Sequence, residues 1–469
     1  QLKSFGYNCI RCSHNPYSDS FARIADRVGM LVVDELTDKW SDNDYWGGRQ
    51  PFTHIWHKLI TEWIKRDRNR PSIILWSLGN ELQIREGWAG FEGANDWGIT
   101  TYNIFNQLVK RWDHTRLTTV AMFPARAGAI TRHDKEFNDY LVPPELACAT
   151  EVASFNYQSD KYDAYLKYRP DLILFQSEAE TSSLLQPYYN MDRKRTVGMA
   201  YWGAAEYWGE SNKWPKKGWN YSFFGHTMRP YPQAYLIKSA FMPEIPEVHI
   251  GVVDAAGAES VSWNDVIVGR MALNECWNHT PGSRQSLFTY TNAHSVELLL
   301  NGQSMGVQEN DTTQANRRNM IYWKDVPYGN GGSVVAIARD KSGKEVARHR
   351  IETAGKAVAL RIEAETPADW KADGMDLQYI NVTAIDKKGR PVWDYNEPLT
   401  LQMEGAARLV ALDNGDHYTD ELFHGITSKR MYQGRMQIIL RSDQEAGNVT
   451  VKISSAGLKG TLRLKTIKE

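Results

Sequence analysis

The feature that most constrains this chain is a change of rhythm near residue 240. Before it, short and almost wholly apolar runs alternate with stretches of helical periodicity; after it, apolar residues recur at every second position without intervening helices. The apolar runs are 8–12, 31–35, 73–77, 118–122, 152–157, 172–176 and 198–203. Between the first two, Phe21, Ile24, Ala25 and Val28 follow the cap-like pair Ser18-Asp19 at helical spacing. Between the second and third, Trp56, Leu59, Ile60, Trp63 and Ile64 do the same. Strands with no polar face need cover on both sides, so these units predict a parallel sheet wrapped in helices. A doubly wound sheet would carry a Gly-rich phosphate turn after an early strand, and none is present. The reading is therefore a (β/α)8 TIM barrel, incomplete at the N-terminus, with seven strands visible and the chain opening inside the first helix.

In the second half, Val296, Leu298 and Leu300 alternate with other residues up to the turn Asn301-Gly302, and Ile380, Val382 and Ala384 do so before Lys387-Lys388-Gly389. Strands joined by such turns predict two immunoglobulin-like β-sandwiches, meeting near residues 353–356. The expected organisation is a barrel over 1–243, a first sandwich over 244–355 and a second over 356–469.

Composition narrows the partner. The formal net charge is −1 over 469 residues and Lys and Arg are dispersed, which speaks against nucleic acid or an anionic membrane surface. No apolar run reaches the length of a membrane span. Tryptophan (17) and tyrosine (23) are plentiful, and Trp40, Trp46, Trp208, Trp214 and Trp219 fall in Gly-, Asn- or Pro-rich segments, where aromatic rings can stack on sugar faces. Cys9 and Cys12 stand three apart in a strand-like run without a second Cys or His pair, and read as buried thiols.

In a parallel barrel the C-terminal strand ends share one mouth, where catalytic groups sit. That rule collects Arg11 and His14 after the first visible strand, Asp34-Glu35 after the second, and Asn80-Glu81 after the third. It adds Asn156-Tyr157 after the fifth, Glu178 after the sixth and Trp202 after the last. Two carboxylates facing across a sugar can cleave its glycosidic bond, one protonating the departing oxygen and the other attacking the anomeric carbon or activating water. Glu81 and Glu178 form the candidate pair, with the Asn80 amide beside the acid. Glu180 lies two residues beyond Glu178, and strand alternation puts both on one side, so spacing leaves the second carboxylate open.

NCIRCSHNPYSDSFARIADRVGMLVVDE, followed by RDRNRPSIILWSLGNE, closely resembles the catalytic barrel of glycoside hydrolase family 2, which comprises β-galactosidases, β-glucuronidases and β-mannosidases. LILFQSEAETSS and GMAYWGAAEYWGES resemble its last strands. LFTYTNAHSVELLLNGQSMG and DGMDLQYINVTAIDKKGRPV resemble the sandwiches that follow. The resemblance implies Glu81 as general acid/base and Glu178, rather than Glu180, as nucleophile of a retaining reaction through a covalent glycosyl-enzyme. It implies substrate-binding roles for Arg11, His14, Tyr157 and Trp202, with Arg11 orienting the nucleophile. Asp34 and Glu35 are expected either to contact sugar or to fix Arg11.

Some members hold magnesium through an acidic residue and a histidine just after the second strand seen here. DELTDKW lacks that histidine, so no cofactor is expected to be required. DNGD at 413–416 could suggest calcium ligands but reads as a turn, leaving magnesium or calcium unsupported. The Asn-x-Lys signature for a sugar carboxylate is absent, which favours a neutral sugar. The expected function is a retaining exo-β-glycosidase acting on terminal β-linked sugars, β-galactosides first. The alternatives are a catalytically silent carbohydrate-binding or scaffold protein and an endo-acting polysaccharide hydrolase. The resemblance also implies two β-domains ahead of the barrel, so the chain is expected to depend on N-terminal domains of the same protein. With two sheet edges exposed, the isolated chain is expected to be poorly stable or inactive. A periplasmic or secreted location is expected if a leader precedes those domains.

Overall fold

The computed structural model describes residues 1–40, 52–82, 98–123, 142–211, 214–254, 258–263 and 266–468; Trp46 lies outside them. The first half forms a seven-stranded parallel sheet in strict sequence order: β1 (Cys9–Arg11), β2 (Leu31–Glu35), β3 (Ile73–Asn80), β4 (Leu117–Met122), β5 (Val152–Asn156), β6 (Leu174–Ala179) and β7 (Thr196–Tyr201). The edge strands β1 and β7 approach each other, so the sheet curls into a nearly closed barrel. Each apolar run of the sequence corresponds to one strand. β3 and β6 run three residues further than the apolar runs indicate, through Leu78-Gly79-Asn80 and Ser177-Glu178-Ala179, so that Asn80 and Glu178 belong to the strands rather than to loops.

Helices α1 (Asp19–Val28), α2 (Phe52–Asp67) and α3 (Ile99–Trp112) cover the sheet. α1 starts where the sequence indicates: Ser18 Oγ accepts the Phe21 N–H at 3.2 Å, and Gly29, at φ 68°, ends the helix. Its buried face is Ala22 and Ala25, so Ile24 and Val28 of the apolar stripe remain 49% and 44% exposed. α2 and α3 supply Phe52, Ile60, Trp63, Ile64, Tyr102, Phe105 and Val109 to the core. Trp63 packs edge-on against Trp76 of β3 at 4.9 Å, and Trp76 Nε1 donates to Asp113 at 2.9 Å, so the largest core ring keeps its one polar atom satisfied.

A second compact unit starts at Gly203. It holds a helix at Pro232–Phe241 and two pairs of four-stranded antiparallel sheets. In the first pair, strands Leu273–Asn274, Val248–Val253, Arg284–Thr291 and Met320–Pro327 share a core with Gln303–Glu309, Ser295–Leu300, Ser333–Arg339 and Glu345–Glu352, around the fully buried Trp277. In the second, Ala359–Ala364, Leu377–Ile385, Arg435–Ser442 and Ala407–Asp413 share a core with Ser428–Arg430, Pro398–Gly405, Asn448–Ser455 and Leu458–Lys465, around Trp370. The period-two residues Val296, Leu298, Ile380, Val382 and Ala384 all face these cores. Asn301 and Gly302, both at positive φ, make the two-residue hairpin turn between paired Leu300 and Gln303.

One contact shapes the end of β3. Trp40 donates Nε1–H to the Leu78 carbonyl at 2.7 Å, and a Cβ on Gly79 would lie 2.7 Å from that nitrogen. Gly79→Ala is expected to displace Trp40 and lower stability by about 1–3 kcal/mol, measured by urea unfolding.

Candidate active site

Arg11, the last residue of β1, is buried and reaches three other strand ends. Its Nε donates to Glu35 Oε2 at 3.0 Å, and Nη2 donates to Glu35 Oε2 at 2.7 Å. Nη2 also donates to Asn80 Oδ1 at 3.0 Å, while Nη1 donates to Glu178 Oε1 at 2.8 Å. Burial alone would lower the Arg11 pKa, but Glu35 and Glu178 outweigh it and raise it further above its ordinary value. Glu35 is wholly buried, and Arg11 overcomes the cost of that burial to hold its carboxyl below the usual range. Ser77 Oγ also donates to Glu35 Oε2 at 2.7 Å, and His14 donates Nδ1–H to Oε1 at 2.6 Å. Burial opposes the charged form of His14, yet this bond raises its pKa. The opposite nitrogen, Nε2, lies 4.0 Å from Glu178 Oε1. Trp202 stacks on His14 with ring centroids 5.2 Å apart and planes 10° from parallel.

Asn80 and Glu81 are consecutive, and regular alternation would send them to opposite sides. They converge because the β3–β4 register shifts between Ser77 and Asn80, and Glu81 takes a left-handed backbone at φ 48°. The Glu81 N–H still finds a partner, donating to the Ala121 carbonyl at 2.7 Å. Asn156, the last residue of β5, then donates Nδ2–H to both Asn80 Oδ1 at 2.9 Å and Glu81 Oε1 at 3.1 Å. Its own Oδ1 accepts from Ser177 at 2.7 Å. Asn80 Nδ2 donates to Asp38 Oδ1 at 3.0 Å, and Lys39 donates to the same oxygen at 2.7 Å. Burial, reinforced by the Glu178 charge, pushes the Glu81 carboxyl up to about 7.

The second left-handed residue is Tyr157, at φ 57°, whose N–H donates to the Glu178 carbonyl at 2.8 Å. Seven of the eight sequence candidates, Arg11, His14, Asn80, Glu81, Tyr157, Glu178 and Trp202, are thus joined through direct contacts and their shared strand ends. Asp34 is not in this set. Adjacent to Glu35 on β2, it faces the helices instead, accepting from Trp63 Nε1 at 2.7 Å, and burial pushes its carboxyl up to about 7. Glu35 fixes Arg11 and Asp34 does not, because alternation separates neighbouring residues of a regular strand. Glu180 also stands apart: β6 ends at Ala179, so alternation stops there, and Glu180 accepts from Ser183 at 2.6 Å at the start of a short 3-10 turn.

Ser77, Ser177, Asp38 and Lys39 complete the cluster without having been singled out from the sequence, and Asn156, collected there beside Tyr157 at a strand end, joins them. Asn156 carried a usable signal, since it ends an apolar run next to Tyr157. Ser77 and Ser177 carried none beyond their place near a strand end.

The residues of DNGD cap their own turn. Asp413 Oδ1 accepts the Gly415 N–H at 2.9 Å, Asn414 Oδ1 the Asp416 N–H at 3.1 Å, and Asp416 Oδ1 the Tyr418 N–H at 2.9 Å.

Comparison with known proteins agrees with the fold. Residues 1–167 match the family described as "Glycosyl hydrolases family 2, TIM barrel domain", residues 360–462 match "Glycoside hydrolase family 2 C-terminal domain 5", and residues 282–347 match a domain of unknown function. Beta-galactosidase BoGH2A of Bacteroides ovatus is 26% identical over 98% of this chain and 57% of its own length. A putative beta-glucuronidase of Formosa agariphila is 25% identical over 99% of this chain and 46% of its own. The chain thus spans about half the length of these relatives. The crystal structure of a glycosyl hydrolase family 2 member from Bacteroides cellulosilyticus superposes with a TM-score of 0.85 at 27% identity, covering 100% of this chain and 59% of that one. The barrel segment 1–167 and the C-terminal segment 360–462 of this chain thus match domains of glycoside hydrolase family 2.

Proposed function

We propose that this barrel is the catalytic part of a retaining exo-β-glycosidase that removes terminal β-linked sugars, β-galactosides first among them. The observation that carries the reading is the pair of buried carboxylates in contrasting environments: Glu178 is bound to a guanidinium, while Glu81 is pushed up to about 7 by burial and by the Glu178 charge. Glu81 is the general acid/base and Glu178 the nucleophile. Arg11 occupies Glu178 Oε1, so Oε2 is the oxygen that attacks the anomeric carbon. Glu81 protonates the departing glycosidic oxygen, and the sugar transfers to Glu178 as a covalent ester. Glu81, now ionised, takes a proton from the incoming water, which displaces Glu178 and releases the sugar with its β-configuration retained.

His14, stacked against Trp202 and fixed by Glu35, presents Nε2 to a sugar hydroxyl near the nucleophile. Trp202 and Tyr157 supply walls for the terminal sugar. Asn80 Nδ2, 3.4 Å from His14 Nε2, holds that nitrogen beside the acid. The cations that the described residues bring to the cluster, Arg11 and Lys39, are paired with Glu35, Glu178 and Asp38, which supports a neutral sugar over a uronic acid.

Two measurements test this on the full-length protein. Glu178→Gly is expected to lower kcat/KM for an aryl β-galactoside by roughly 10⁴–10⁶-fold. Azide should restore part of the turnover as an α-galactosyl azide, whereas unchanged hydrolysis by the variant, or a preferred aryl β-glucuronide, contradicts the assignment. The pH profile tests Glu81. Because the acid must be protonated, kcat/KM should fall as pH rises through about 7. The Asn156 bond favours the ionised form, so Asn156→Ala should move that alkaline limb to higher pH, whatever it does to the maximum rate.

A further inference from the structure

In the second unit, three side-chain atoms form a small triangle. Glu206 Oε2 lies 2.9 Å from His417 Nε2 and 3.4 Å from His226 Nδ1, and the two ring nitrogens are 3.1 Å apart. All three side chains are almost completely buried. A tetrahedral zinc ion with ligands at about 2.0–2.1 Å separates them from one another by about 3.3 Å, close to the three edges seen here. We propose that Glu206, His226 and His417 bind a divalent cation of the zinc class, which ties the segment following the last barrel strand to the 413–417 turn of the C-terminal sandwich.

The surroundings of the triangle suit an ion. His226 Nε2 lies 2.8 Å from Asp413 Oδ1, so donating that proton to the carboxylate leaves a lone pair on Nδ1. Without an ion, a doubly protonated His226 donates Nδ1–H toward Glu206 Oε2 and His417 donates Nε2–H to the same oxygen; an ion takes the place of those two protons. A cation at the centre satisfies all three. Glu206 is oriented in turn, its Oε1 accepting from Tyr231 at 2.9 Å. A carboxylate behind a ligating imidazole and a hydroxyl behind a ligating carboxylate are the outer supports that metal sites use. The imidazole planes stand 85° apart with centroids at 4.7 Å, so both in-plane lone pairs can meet at one point. A cavity of about 110 Å³, lined among others by Glu206, His417, Asn414 and Asp416, leaves room for water as a fourth ligand.

The other close group of ligand-type side chains in this unit, His249, Glu275 and His349, lacks this arrangement. Its imidazoles are stacked at 4.0 Å and 26°, and His349 Nδ1 already accepts the Ile250 N–H at 3.1 Å. That group therefore serves as the control.

The test strips the full-length protein with a chelator, dialyses it against Zn²⁺ and measures bound metal by mass spectrometry. The expected result is about one tightly held zinc per chain and a raised thermal midpoint on adding Zn²⁺. His417→Ala and Glu206→Gln should abolish both, and His249→Ala should leave both intact. Asp413→Asn, which keeps the side-chain shape, should weaken binding by about 10–100-fold, so the proposal remains testable if a ligand variant fails to fold. Co²⁺ in place of Zn²⁺ should give the intense visible absorption of a tetrahedral centre. The absence of stoichiometric metal, retention of metal by His417→Ala, loss of it in His249→Ala, or the weak spectrum of octahedral cobalt would overturn the site.

Discussion

The site depends on one buried cation. Removing Arg11 and two carboxylates from water costs several kcal/mol per ion, and the arrangement is tolerable only because the guanidinium distributes its donors over Glu35, Glu178 and Asn80. Without it, Glu178 would lose its guanidinium partner and Glu35 would keep only Ser77 and His14. A lysine could not substitute, since an ammonium offers one point of charge where the planar fork reaches partners on β2, β3 and β6 at once. Ser77 and His14 take up the remaining capacity of Glu35. Arg11 thus connects the ends of separate strands.

The second constraint is in the backbone. A strand offers each face every other residue, but this site needs the consecutive pair Asn80 and Glu81 on the same side. The register shift in β3 and the left-handed Glu81 achieve this, and Tyr157 repeats the device at the end of β5. Such conformations cost about 1–3 kcal/mol for residues with a side chain and persist where the surroundings determine them. Here the surroundings are visible: the N–H groups of Glu81 and Tyr157 are each held by a carbonyl, and Asn156 clasps both side chains of the Asn-Glu pair. Gly79 serves the same end by admitting Trp40 against the strand.

Much of this was legible in the residues, and the failures have local causes. Apolar runs located the barrel strands, and the Ser18 cap located a helix. Strand lengths were underestimated at β3 and β6 because polarity was read as exposure, whereas a barrel mouth buries polar groups. Alternation treated Glu178 and Glu180 as equivalent; the strand stops at Ala179, and only Glu178 meets Arg11. The same rule, applied to Asp34 and Glu35, would have separated them correctly. Ser177 owes its importance to a contact with another strand, which no local pattern records. Glu206 and His417 are separated by 211 positions, and only the fold brings them together.

The central claim is that Arg11 singles out Glu178 as the nucleophile while Glu81 serves as its acid. The most direct measurement treats the full-length protein with an activated 2-deoxy-2-fluoro-β-galactoside, which slows hydrolysis of a glycosyl-enzyme, and maps the labelled peptide by mass spectrometry. The account expects a covalent sugar on Glu178. A label on Glu180 or Glu81, or turnover with no covalent intermediate and inversion of configuration, would contradict it.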